Sequence, residues 1–341
     1  MTSMLKNSFV LLRLLLLIAL FCTASIGAEP RVSVTKHDDV MRIHLGDNHF
    51  TDYVMTGRAK PILYPIHGPH QLPMTRNYPM VSGVAGEATD HPHHESLWFT
   101  HEVVNGVDFW LLGKNRGRVL HDELVDFRSG DKGSITTKNR WVGPDDRVHL
   151  TDTTRLEFHA IDQARVIDYQ ITLHASHGDV KFGEAKDGLM GIRMHPNLRL
   201  RQDAKINPGV PAASAVNSEG VSGVDVWGKR AKWVAYWGSI EGHVVTIAIF
   251  DHPDNLRHPT WWHARDYGLV SANPFGTSAF DKTKPKGSGA YTLRNGDDLT
   301  FRYRFVFYDG QADAKTLDRL FEEFAKSKLA STESPTDAAA P

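Results

Sequence analysis

The chain has 341 residues, 41% of them apolar and 23% charged, enough to bury a sizeable core in one large domain or two ordinary ones. Lysine and arginine number 39 against 40 aspartates and glutamates, so no basic excess is available to neutralise phosphates, and nucleic acid is excluded as a partner. Nineteen histidines are more than surface chemistry needs and direct attention to metal or proton chemistry.

The N-terminus reads as an export signal. Lys6 and Arg13 flank an apolar stretch from Leu14 to Cys22, followed by small residues that end Ile26-Gly27-Ala28. This pattern predicts a signal peptide over residues 1–28 with cleavage before Glu29. The mature protein is then periplasmic or secreted, with no integral membrane association, because the apolar run is short for a span. Cys22 is the only cysteine and leaves with the signal. The mature chain then has no disulfide, thiolate nucleophile or cysteine zinc site.

Strand patterns dominate the rest. Val32 to Leu45 alternates β-branched and polar residues, broken by the turn His37-Asp38-Asp39. Val166 to His174 alternates apolar and polar, and Val244 to Phe250 is a continuous apolar run suited to a buried strand. TFRYRFVFY places Phe301, Tyr303, Phe305 and Phe307 on one face and Arg302 and Arg304 on the other, the period of a half-buried antiparallel strand. Near the end, Leu317, Leu320, Phe321 and Phe324 form a helical stripe behind an N-cap at Asp313. The expectation is an all-β fold over residues 30–329: one large antiparallel β-sandwich with a C-terminal helix, then a disordered tail over residues 330–341.

Chemistry concentrates in three stretches. The first runs from Pro61 to Trp110, opening with a proline- and glycine-rich loop that carries Arg76 and continuing into DHPHHESLWF. On an extended backbone His91 and His93 point one way and His94 the other. Two imidazoles two residues apart can share a first-row metal, with Glu87, Asp90 or Glu95 adding a carboxylate. The second stretch, FGEAKDGLMGIRMHP, places Arg193 and His195 on one face if Gly188 to Pro196 is a strand. A cation beside an imidazole suits carboxylate binding or carbonyl polarisation. The third, Phe250 to Gly276, interleaves His252, Arg257, His258, His263 and Arg265 with Trp261, Trp262 and Tyr267, and ends at Asn273 and Phe275. Aromatic rings beside hydrogen-bonding groups are what a sugar needs, although tryptophan pairs are more often packing.

With these stretches in view, the chain resembles a family of bacterial secreted proteins commonly labelled "methane oxygenase PmoA" or left as a domain of unknown function. The motifs are YPIHGP, TRNYPM, DHPHHESLWF with VNGVDFW, FGEAKDGLMGIR, and DHPDNLRHPTWWHARDYGL with ANPFG. Such proteins commonly read DHPHHRS where this chain has Glu95. Hydropathy conflicts with the label: outside the leader no apolar stretch reaches the ~18 residues of a membrane span, so a genuine membrane methane monooxygenase is not the expectation. The resemblance implies carbohydrate metabolism and a fold similar to the galactose-mutarotase-like super-sandwich of aldose 1-epimerases.

The first-ranked function is an exported carbohydrate-active enzyme, an epimerase, lyase or hydrolase working by acid/base chemistry on a small-molecule sugar or glycoside. His93, His195 and His263 are its proton-transfer candidates, and Arg193 and Arg265 orient or neutralise the substrate. Arg76, Trp261, Trp262 and Asn273 complete the substrate-binding set. One alternative is a metalloprotein holding a divalent transition metal, copper or zinc, on His91 and His93. Another is a non-catalytic sugar-binding module.

Overall fold

The computed structural model describes residues 32–329, so the signal peptide and tail expected at the two ends lie outside the described residues. Two eight-stranded antiparallel sheets and one two-stranded ribbon, Val180–Phe182 with Tyr291–Leu293, make up the architecture among the described residues. The first sheet runs Val32–His37, Val40–Leu45, Asn48–Val54, Ile62–Ile66, Leu97–His101, Gly188–Arg193, Leu269–Asn273 and Trp261–Ala264. The second runs Ser214–Asn217, Trp233–Ile240, His243–Asp251, Asp298–Asp309, Ala164–His174, Val148–Ile161, Gly133–Val142 and Arg118–Arg128. This is the expected β-sandwich, closed by the helix Ala314–Ala325.

The period of two decides what lies between the sheets. From the first sheet, Leu97, Phe99, Met190, Ile192, Val270, Ala272 and Trp262 turn inward, and from the second Ile167, Leu156, Phe301 and Phe305 meet them. Phe99 packs on Phe301 with ring centroids 6.1 Å apart. The C-terminal helix lays Leu317, Leu320, Phe321 and Phe324 on the outer face of the second sheet, against Val166, Trp233, Ala248, Phe250 and Val306. This corrects one expectation. Asp298–Asp309 is buried on both faces, because the helix covers the side that carries Arg302 and Arg304. Arg304 is accommodated there by a two-pronged bond to Asp168 at 2.6 and 2.8 Å. The Asp313 carboxylate accepts the Thr316 N–H at 2.8 Å, as an N-cap should. Replacing Asp313 by Ala is expected to lower the urea midpoint modestly without changing its slope, with Asp313→Asn close to wild type. An unmoved midpoint in the alanine variant would remove the cap from the account.

The opposite face of the first sheet carries the chemistry. Trp98, Gly191, Ser271 and His263 are direct neighbours across four strands and so share the outward face. Gly191 has a steric reason. A Cβ there would sit 3.0 Å from Trp98 and 3.2 Å from Trp110, the two rings that lie over the strand. Trp98, Trp110, Ile62 and Leu269 form a separate small cluster, the floor on which the loop around the histidines rests.

Candidate functional site

The segment Asp90 to Glu95 is a turn rather than an extended run. His91 has a positive φ of 45°, and the His94 N–H bonds back to the His91 carbonyl at 3.0 Å, with Pro92 and His93 at the bend. The turn overturns the alternating arrangement expected for these rings. All three imidazoles gather on one side, with one ring nitrogen from each lying within 4.8 Å of the others. His93 and His94 meet edge to face at 4.3 Å, and His91 stacks on His94 at 4.7 Å.

Cations hold this turn in place. Arg76, fully buried, spends its guanidinium on the carbonyls of Tyr78, Ala88 and His91 and on the Asp90 carboxylate. Arg193 reaches Asp90 at 2.9 Å and the His94 Nδ1 at 3.0 Å. Lys60 donates to the His93 carbonyl at 3.0 Å and pairs with Glu95 at 2.7 Å. Glu95 also takes Arg58 at 2.7 Å.

These surroundings keep the imidazoles neutral. Burial, then His91, Lys60 and the two arginines, pull His93 down to about 3. Burial, then His93, Arg193, His91 and Arg76, depress His94 still further. His91 is lowered mainly by burial, with Asp90 opposing. For Asp90, burial pushes upward, but Arg193 and Arg76 outweigh it and hold the carboxyl below its ordinary value. A guanidinium can only donate, so the His94 Nδ1 must accept and its proton sits on Nε2.

A second group joins the site from the neighbouring strands. Asp187 Oδ1 lies 3.4 Å from the His263 Nδ1, and both ring nitrogens of this buried histidine lack a hydrogen-bond partner among the described residues. Burial raises the Asp187 carboxyl, against the pull of Lys186, His91 and Arg265. His263 falls to about 3, through burial first and then Lys186, Arg265 and His91. Tyr267 ties the two groups together. Arg193 lies 4.7 Å above its ring, Arg265 lies 5.3 Å from it, and His91 stacks on it at 5.2 Å. The three stretches singled out in the sequence therefore meet on one face.

Several expected residues do other work. His195 sits past the end of Gly188–Arg193 and caps the turn Pro196–Leu198, its Nδ1 accepting from Asn197 at 3.2 Å. The shared face expected for Arg193 and His195 is therefore lost. Trp262 is on the inward face, wholly buried, with its indole N–H on the Ala231 carbonyl at 2.9 Å, so it cannot stack on a substrate. Trp261 faces outward but is buried beneath Arg230, 4.6 Å above its ring. Asn273 is buried and holds the loop that carries Asp187, donating to the carbonyls of Ala185 and Lys186 at 2.9 and 2.8 Å. Arg76 has its donors committed to the loop and serves to position the histidines. His252 and His258 are bound elsewhere, to Arg302 at 2.8 Å and Asp251 at 2.7 Å. The residues that sequence reasoning passed over are Lys60 and Asp187 as a site member, and Tyr267 was named in the third stretch without a role of its own. The Arg265-x-Tyr267 alternation was a signal for Tyr267, whereas nothing local marks Lys60.

Three imidazoles suit zinc, copper or nickel, and their neutral state is the one a metal requires. The fit has one obstacle. A ring that binds metal through Nε2 carries its proton on Nδ1, which would face the Arg193 donor. His94 can join only if Arg193 releases it, and Asp90 and Glu95 are already paired with cations.

The model of a family of unknown function, DUF6807, matches residues 41–322. No curated protein matches the chain. Among solved structures, the galactosidase domain of an alpha-galactosidase-sucrose kinase, AgaSK, aligns over 82% of this chain and 42% of its own, at 6% identity and a TM-score of 0.40. A heparan sulfate lyase HepC mutant from Pedobacter heparinus aligns over 84% of this chain and 36% of its own, at 9% identity and 0.31. A galactose mutarotase related enzyme from Lactobacillus acidophilus aligns over 83% of this chain and 99% of its own, at 9% identity and 0.27. The chain thus spans about two fifths of the length of the first two, and likeness at these scores carries no argument about activity.

Proposed function

We propose, for a chain that belongs to this family of unknown function and takes no assigned activity from it, an enzyme working by acid/base chemistry on a carbohydrate, exported from the cell. One observation carries this reading: neutral imidazoles and a carboxyl with a raised pKa converge on one face of a rigid sheet. An imidazole held unprotonated and a carboxyl that keeps its proton to a higher pH than usual supply a base and an acid. In this reading His91, unprotonated and exposed on the turn, accepts a proton from the substrate, with the largely buried His93 edge-on beside it. Asp187 gives one to the leaving or returning oxygen. His263, its Nδ1 3.4 Å from the Asp187 carboxylate, stays unprotonated beside it. Arg265 and Tyr267 line the approach, and Tyr64 and Tyr78, both half-buried, add ring surface suited to a sugar's C–H faces.

The test is turnover on a panel of p-nitrophenyl glycosides and reducing sugars. Asp187→Asn and His91→Ala/His93→Ala are expected to lose roughly 100-fold or more in kcat with the fold retained, the scale of a lost general acid or base. Rates within a few-fold of wild type would sink the assignment. The gathering of three ring nitrogens within 4.8 Å favours a second reading, a transition-metal centre on His91, His93 and His94. Bound metal, zinc or copper, would act there as a Lewis acid. Elemental analysis of protein purified without chelator separates the two: metal in wild type but not in the double variant selects the second.

A further inference from the structure

An open groove of about 730 Å³ adjoins the site and is lined by Lys181, Lys186, Lys282, Lys284 and Lys286, with Glu184 as its one carboxylate. Glu184 is not available to neutralise them. Its oxygens accept the Ser278 N–H and hydroxyl, both at 2.6 Å, the Gly289 N–H at 2.9 Å, and the Gly287 N–H. Through these bonds one side chain anchors the loop that carries Lys282, Lys284 and Lys286. Arg257 supports the same loop from below, donating to the carbonyls of Gly289 and Ala290 at 2.6 and 3.1 Å. Lys181, Lys284 and Lys286 are exposed and have no carboxylate within ion-pair distance among the described residues.

Asp281 is the one acid on this loop and is felt by Lys284, so lysine outnumbers acid there three to one, and that excess, on an anchored loop, is a local field that attracts anions. The groove connects directly to the chemistry. Lys186 precedes Asp187 and lies 3.7 Å from its carboxylate, and Asn273 fixes both through the Lys186 carbonyl. No aromatic side chain lines the groove, so it offers no platform for stacked bases, which argues against a nucleic-acid strand.

We propose that this groove binds the flanking residues of an anionic glycan, a sugar chain bearing carboxylate or sulfate groups, while a neighbouring residue of that chain occupies the histidine site. The inference rests on the carbohydrate reading of that site and names its substrate class. Its test measures binding without turnover, by affinity electrophoresis and calorimetry with polygalacturonate, dextran sulfate, neutral dextran and an oligo(dT) strand. Wild type is expected to bind both polyanions and not neutral dextran, and to release them near 1 M salt, where the Debye length is about 3 Å. The Lys181→Ser/Lys284→Ser/Lys286→Ser variant is expected to bind roughly tenfold or more weakly. The salt dependence of polyanion binding should be lost in the lysine variant and kept in the His91→Ala/His93→Ala variant, so failure of the groove and failure of the acid/base centre read out separately. Polyanion affinity unchanged in the lysine variant, or no polyanion binding at all, overturns the proposal. Oligo(dT) bound as tightly as polygalacturonate overturns it in favour of a nucleic-acid face.

Discussion

Replacing Glu95 with Ala is expected to cost about 3–5 kcal/mol of stability, the range for removing one member of a buried ion pair. Glu95 and Lys60 are both almost fully buried, with Nζ 2.7 Å from the carboxylate. Burial, with a smaller push from Arg58, lowers the Lys60 pKa, and Glu95 offsets part of it. Without Glu95 the ammonium either stays charged and unpaired or gives up its proton, and both states cost stability. The loss should spread to the site, since Lys60 also holds the His93 carbonyl. The sharper check is the pair Glu95→Leu/Lys60→Met. Removing both charges leaves no orphan and should recover most of the loss. Urea midpoints of the two variants decide it. A single variant within about 1 kcal/mol of wild type would mean that Lys60 is solvated in a way its burial does not suggest. The pair also gives the acid at this position its role. Here the cations come from Lys60 and Arg58, on a different segment.

How far the site could be read in advance follows from what kind of pattern each part left. Strands with one buried face declare themselves by alternation, and the helix over Leu317 to Phe324 by its stripe. The concentration of histidine, arginine and aromatic residues in three stretches marked the segments that do converge. Side-chain direction was harder. Trp261 and Trp262 are adjacent on a strand, so one must face in and one out, and only pairing with Asn273 and Ala272 settles which. The direction of His94 depended on a positive φ at His91, which no periodicity encodes. Arg76 looked free because its partners, the carbonyls of Tyr78, Ala88 and His91, leave no trace in residue type. Lys60 and Glu95 are separated by 35 positions, and a lone lysine after Arg58-Ala59 carries no mark of burial.

Stability should fall steeply as pH drops below 6.5. His101, His159, His195 and His252 are each depressed to about 4, and His263 to about 3, with burial the leading cause in every case. An unfolded chain protonates these rings near 6.5, whereas the folded protein does not until the pH nears 4. Between those limits unfolding takes up protons, so stability rises with pH across the window and levels off above it. Each ring contributes about 1.4 kcal/mol per pH unit. Two such rings already remove about 3 kcal/mol per unit, a large share of the 5–15 kcal/mol typical of a domain. The opposite sign belongs to Asp152 and Asp251, which burial raises. They protonate more readily when folded and so soften the loss at the acid end. Urea midpoints at pH 7.5, 6.5 and 5.5 should therefore fall about three times as far over the second interval as over the first. His159→Gln should flatten the fall by one proton's worth, because that ring's Nδ1 has no hydrogen-bond partner in the folded protein. Midpoints that do not move between pH 6.5 and 5.5 would mean that these rings take up protons in place. The same result would undercut the case for neutral imidazoles at His91 and His93, whose depression has the same leading cause.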